Sequence, residues 1–258
     1  MLRHYFIENE LEGLGTICSY SSGNIHLESK EDLSLPIYRF TTLESLLAIL
    51  CNQELFVARK QTFSDWHEGV DCMTLLASIS HFSVPGIPVS EKQRAANAKE
   101  DKQSAELLGR IPVSCWTLDG EESYYQWMAY AKGTVTVRIG TTVGDLVNSI
   151  SDIDYPVFGA RVRYEKLSAL QPHLKSLFYK RPVYACEHEY RFCFYHGFPD
   201  STPDEKGISV RLTSSAFIHS VLVHSPIGNG IGKTYVQLLK KLLPKTEVRP
   251  SLLREREK

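Results

Sequence analysis

The stretch "TVTVRIG", residues 134–140, alternates β-branched residues with strict period two. Side chains on a strand point to opposite faces in turn, so Val135, Val137 and Ile139 share one face and Thr136 and Arg138 the other. A run of this kind does not sit still as a helix. "EYRFCFYH" (189–196) alternates as strongly, and "GARVRYEKL" (159–167) does so again. Strand composition also marks "LPIYRFTT" (35–42), "LFVAR" (55–59), "IPVSCWTL" (111–118), "SAFIHSVLVHSP" (215–226) and "TEVRPSLL" (246–253). Helical spacing appears in fewer places: after a Thr41 or Thr42 cap in "TLESLLAILCNQEL", in "EESYYQWMAYAKG" (121–133) and in "TYVQLLKKLL" (234–243). Strands outnumber helices and do not alternate with them. The expected class is therefore α+β, not doubly wound α/β.

Residues 1–35 show no strong period and read as an N-terminal extension. Residues 36–258 read as a single domain, with an exposed polar helical insertion at about 83–110. No internal repeat is visible. The net charge is −1, which neither favours nor excludes a nucleic-acid partner. Locally, residues 233–258 hold eight Lys/Arg against three Glu. No apolar run reaches the ~18 residues a membrane span needs. "MLRHYFIENE" carries charges where a secretory leader is apolar. The expectation is a cytoplasmic protein with its six cysteines reduced.

Several motifs fail on spacing. "IGNGIGKT" (227–234) has Ile227 where a phosphate-binding loop needs glycine. "DWHEGVD" gathers Asp65, His67, Glu68 and Asp71 without the spacing of a known zinc site, and no metal is expected. There is no GxSxG.

"ACEHEYRF" (185–192) is different. If it is extended, Glu187, Glu189 and Arg191 share a face. Two carboxylates so placed are a catalytic pair or a charge cluster neutralised by arginine, and the octapeptide alone favours the cluster. His188 falls on the other face.

Five segments in order resemble a bacterial family, domain of unknown function 2971. They are "YRFTTLESLLAILCNQELF", "FSDWHEGVDC", "VSCWTLDGEESYYQWMAYAKG", "YKRPVYACEHEYRF" and "FIHSVLVHSPIG", spanning about Tyr38 to Gly228. Trp66 stands where that family has proline, and Gln126 where it often has methionine. A second resemblance is to ADP-ribosyltransferases of the R-S-E type: a first-strand arginine, a hydroxyl with aromatics, then ExE. It implies a split β-sheet core with flanking helices and NAD as substrate. By that resemblance Arg39, with Tyr38, Thr117, Trp127 and Tyr130, binds NAD. Glu189 is the catalytic carboxylate, Glu187 orients or deprotonates the acceptor, and Arg191 supports both. The acceptor it implies is a macromolecule, nucleic acid or protein. A toxin–antitoxin or phage-defence setting, with an antitoxin partner, follows from the resemblance alone. The rival is a non-enzymatic module that binds a nucleotide or a partner on the same fold. A metal-dependent nuclease using Glu187, Glu189 and Asp65 is a weaker third.

Overall fold

The computed structural model describes residues 17–63, 108–131, 134–151, 153–165, 174–195, 206–226 and 229–253. The strands are β1 (Tyr20–Ser22), β2 (Ile25–Leu27), β3 (Pro36–Thr42), β4 (Glu54–Arg59), β5 (Pro112–Thr117), β6 (Thr136–Thr142), β7 (Val157–Arg161), β8 (Glu189–Phe194), β9 (Gly207–Arg211), β10 (Ser220–His224) and β11 (Glu247–Pro250). The α-helices are α1 (Leu43–Asn52), α2 (Tyr124–Ala131), α3 (Val143–Ser149) and α4 (Asn229–Leu242). The protein is α+β, with one mixed sheet carrying its helices.

The strand order is β1-β2-β7-β8-β5-β3-β6-β10-β11. β4 and β9 leave this path as a branch on β5. The branch arises because β5 pairs with two strands along the same edge. Its end meets β3 through the single pair Tyr38–Thr117. Its start meets β4 through Ala58–Val113 and Arg59–Pro112. β3 is otherwise committed to β6 along its whole length, Pro36–Thr142 to Thr42–Thr136. A fork therefore opens between β3 and β4, with β5 at its base.

β1 and β2 lie ahead of the expected domain start at residue 36. They are hydrogen-bonded into the same sheet, β2 running parallel to β7. The segment from Tyr20 onward is thus integral to the sheet and not an extension of it. Most of the expected insertion at 83–110 lies outside the described residues, as does "DWHEGVD".

Local chemistry accounts for the helices. The Thr42 hydroxyl accepts from Ser45 N at 3.3 Å and caps α1, which Gln53 ends in the left-handed region at φ 54°. Thr142 caps α3 in the same way, accepting from Asp145 N at 3.1 Å. α4 links the parallel strands β10 and β11. It buries Val236 and Leu239 against the sheet, and Leu243 just after it joins them.

The two faces of the sheet differ. One carries the main core, including Ile37, Leu46, Trp116, Val137, Ile139, Tyr190 and Phe192. The other carries two smaller clusters. One is built on Phe158, Ala160, Leu177, Phe178 and Cys193, the other on Phe40, Trp127 and Leu222. The register places Cys115, Thr117, Glu189 and Arg191 on this second face, in line with Ala160. Charged groups thus lie between two apolar patches.

Candidate active site

β8 starts at Glu189, not before it. Pro182–Glu187 is a 3-10 turn, and His188 sits in the left-handed region at φ 42°. Glu187 therefore does not share a strand face with Glu189. A cation joins them instead. Lys180 Nζ lies 2.5 Å from Glu187 Oε2 and 3.2 Å from Glu189 Oε2. Glu187 keeps 35% of its side-chain exposure, while Glu189 keeps 4% and Lys180 9%. His188 is exposed, with Nδ1 4.0 Å from Asp119 Oδ2.

Glu189 is held from all sides. Arg191 Nε donates to Oε1 at 2.6 Å, and its NH2 donates to Oε2 at 2.9 Å. Arg191 is itself fully buried and gives its NH1 to the Leu177 carbonyl at 2.5 Å. The Cys115 thiol completes the set around Glu189. A carboxylate has about four lone-pair sites. Arg191 fills two of them and Lys180 a third. Burial works to raise the Glu189 pKa, but Arg191, then Lys180, outweigh it and hold the carboxyl well below its ordinary value. The Glu189 amide donates to the Tyr164 hydroxyl at 2.8 Å, which fixes the start of the strand.

Arg39 projects from β3 to the main-core face, since it pairs with Ile139, and Glu189 projects to the other. Its guanidinium spans the fork. NH1 donates to Ser114 Oγ at 2.9 Å on β5, and NH2 to the Phe56 carbonyl at 3.2 Å on β4. The group also lies 5.9 Å from the Trp116 ring centroid. Ser114 Oγ accepts a second bond from Trp116 Nε1 at 2.9 Å, so the hydroxyl is fixed before the arginine arrives. Arg39 stays partly exposed while the protein around it is dense enough for burial to lower its pKa, against the pull of Tyr130 and Cys115.

Tyr130 is a partly exposed aromatic near the end of α2. It extends from α2, stacks on Phe40 at 6.1 Å and keeps 44% of its surface exposed. Burial raises its phenol pKa, and so do Cys115, Glu189 and Glu187, while Arg39 opposes them.

The remaining expected residues are placed differently. Trp127 is fully enclosed, edge-on to Phe40 at 4.8 Å, with Nε1 donating to Glu122 Oε2 at 3.0 Å. It is a core residue, with no face left for a ligand ring. Thr117 is buried and donates to the Glu187 carbonyl at 2.8 Å. It also accepts from Asp119 N at 3.1 Å. Its hydroxyl locks the end of β5 to the turn that carries Glu187. Tyr38 lies beneath Arg138, whose guanidinium is 4.5 Å from its ring centroid. Gly140 lies against it, where a Cβ would meet Ser220 Oγ at 2.3 Å and Tyr38 Cδ1 at 3.0 Å.

Sequence reasoning missed Lys180, Ser114 and Cys115. Lys180 was in view, inside "YKRPVYACEHEYRF", but nothing in its spacing gave it a role. Among the described residues, no group of three or more His, Cys, Asp and Glu is arranged to hold a metal ion, and no helix is long and apolar enough to cross a membrane.

No protein-family model matches the sequence, and no curated protein does, so the resemblance to domain of unknown function 2971 has no family model behind it. Solved structures similar to this chain include DarT of Thermus sp. 2.9 in complex with NAD+ and in complex with ADP-ribosylated ssDNA. Each is 12% identical, with a TM-score of 0.35 over 84% of this chain. The match covers 94% of the first neighbour and 93% of the second. A superposition at that level carries no weight for activity, which rests on the side chains above.

Proposed function

We propose that this chain is an NAD-dependent ADP-ribosyltransferase that transfers ADP-ribose to a macromolecule. The observation that carries the reading is the presence of two built ionic groups flanking β5: an arginine anchored in the fork of the sheet, and a carboxylate pair joined by Lys180. Arg39 uses two bonds to protein, and among the described residues no other group takes its remaining N–H donors. The guanidinium has five such donors and a planar fork suited to phosphate oxygens. It is the group to receive the pyrophosphate of NAD.

In the reaction, the bond between nicotinamide and ribose C1′ breaks and its electron pair leaves on nicotinamide. Positive charge develops on the ribose, as in glycoside hydrolysis. A fixed negative charge stabilises that state more than the ground state. Glu189 supplies the fixed charge from behind, because its lone pairs are filled by protein. Glu187 supplies the accessible oxygen, next to ribose and the incoming acceptor, and takes the proton the acceptor loses. Tyr130 walls the space between. The acceptor is nucleic acid or protein.

The saturation of Glu189 also favours a second reading, in which the ionic cluster is structural and the chain binds a nucleotide without turning it over. Nicotinamide release separates the two. Purified wild type and Glu187→Gln are given NAD with single-stranded DNA, total RNA or lysate protein. Release by wild type, reduced by about 10² in the variant, supports the transferase. NAD binding without release from any mixture supports the binder.

A further inference from the structure

We infer that the Phe56 ring is the stacking platform for the adenine of a nucleotide whose phosphate sits on Arg39. That the nucleotide is NAD rests on the transferase reading; the pairing of ring and anchor does not.

The alternation of β4 decides where the ring lies. Leu55 and Val57 are buried in the main core. Phe56, between them, therefore turns to the other face. The register agrees. Ala58 pairs with Val113 on β5. Phe56 shares a face with Ala58, and Cys115 with Val113. Cys115 pairs with Arg191, and Thr117 with Glu189, so Phe56 stands on the face that carries Glu189. Its side chain is 47% exposed. The far end of the ring lies over Gly207, where a Cβ would meet Cζ at 2.6 Å and Cε2 at 2.9 Å. Any side chain at 207 would lift the ring away. The missing Cβ thus seats the ring against the main chain of β9 and leaves the rest of it to solvent.

The same residue touches the anchor. The Phe56 carbonyl turns into the fork and accepts from Arg39 NH2 at 3.2 Å. Ser114 Oγ holds Arg39 NH1 at 2.9 Å. The main chain and side chain of one residue therefore place an exposed ring beside a guanidinium. Among the described residues no other group takes the remaining N–H donors of that guanidinium. A nucleotide matches both parts. Its phosphate suits the planar fork of arginine. Its base, one sugar away, suits an aromatic ring, and stacking supplies the attraction. Under the transferase reading, Glu187 and Glu189 lie across β5 from the fork. NAD pinned at its pyrophosphate then directs its nicotinamide ribose over β5 and its adenosine to β4.

The test is calorimetry with two probes: ADP, which carries the base, and inorganic pyrophosphate, which does not. Wild type, Phe56→Ala, Phe56→Leu and Phe56→Tyr are each checked first for a cooperative thermal melt. Phe56→Leu keeps an apolar side chain near Gly207 and removes the flat ring. ADP affinity is expected to fall by about tenfold or more in Phe56→Ala and Phe56→Leu and to stay within about twofold in Phe56→Tyr. Pyrophosphate affinity is expected to stay within about twofold in all three, because the guanidinium is intact. Nicotinamide release reads the consequence: the KM for NAD rises by about tenfold in Phe56→Ala while kcat stays within about twofold. Equal ADP affinity in wild type and Phe56→Leu overturns the inference. A parallel loss of both probes overturns it too, since Phe56 then frames Arg39 and does not meet the base. So does a wild type that binds neither probe. Loss of ADP alone in Phe56→Leu, with no nicotinamide released by wild type, supports the platform and removes the transferase reading.

Discussion

Arg39 and Glu189 project to opposite faces of the sheet, Arg39 into the fork onto Ser114 and Glu189 onto Arg191. The single Tyr38–Thr117 pair makes this possible. Beyond it, β3 and β5 part, and the guanidinium enters the opening instead of lying under a continuous ladder.

Replacing Arg39 separates phosphate recognition from framework. Arg39→Lys keeps the charge but loses the planar fork. Its KM for NAD is expected to rise about tenfold or more, with kcat little changed. Steady-state nicotinamide release, or calorimetry with NAD, measures it.

The two glutamates differ in what they cost the fold. Glu189→Gln takes from buried Arg191 the charged group that it bonds at both oxygens. Breaking a buried pair in this way costs about 3–5 kcal/mol. Glu187 is a third exposed, and Glu187→Gln is expected to cost no more than about 1 kcal/mol. Urea unfolding of both variants gives the comparison.

Stability should also depend on pH through Glu189. Its folded pKa lies below the unfolded value because Arg191 and Lys180 outweigh burial. The unfolded chain therefore takes the proton first as pH falls. The contribution is complete above the ordinary glutamate value of about 4.3. It is lost as pH drops from there through the folded pKa. Unfolding free energies from pH 7 down to pH 3 should decline more steeply in wild type than in Glu189→Gln.

Trp127 provides a control for the wall of the site. Trp127→Ala opens a cavity between Phe40 and Leu222 and strips Glu122 of a donor. A loss of about 3–5 kcal/mol is expected. Trp127→Phe, which keeps most of the packing, should leave the KM for NAD unchanged. A Tyr130→Ala variant should raise it. Thermal melts and KM values on the three variants distinguish core from wall.

How much was legible in the sequence follows from length and period. β6 and β8 announce themselves because seven and six residues are enough to alternate. β1 and β2 have three residues each and no period of their own; they form because β7 offers an edge. α3 is seven residues long and buries Val143, Leu146 and Val147 together, so no amphipathic stripe shows. The carboxylate pair was visible as ExE, but its geometry was not. His188 turns the chain at φ 42°, and the every-second-residue rule does not cross that turn. Lys180 reads as one cation in a basic stretch. Only folding puts it between two acids seven and nine positions away.

The forked sheet has a mechanical consequence. β4 and β9 join the rest of the sheet through two residue pairs on β5 and the Arg39 bond to Phe56, and are tied outside the ladder by the Ser151 amide on the Arg211 carbonyl and the Ile150–Leu212 bridge. β4 and β9 are well knit to each other, from Glu54–Arg211 to Ala58–Gly207. They form a two-stranded branch whose ladder to β5 is short, with the guanidinium as a catch across the fork. A phosphate drawn to Arg39 pulls on that catch. The width of the opening and the occupancy of the anchor are then one variable, and amide exchange along β9 reports on a ligand it never touches.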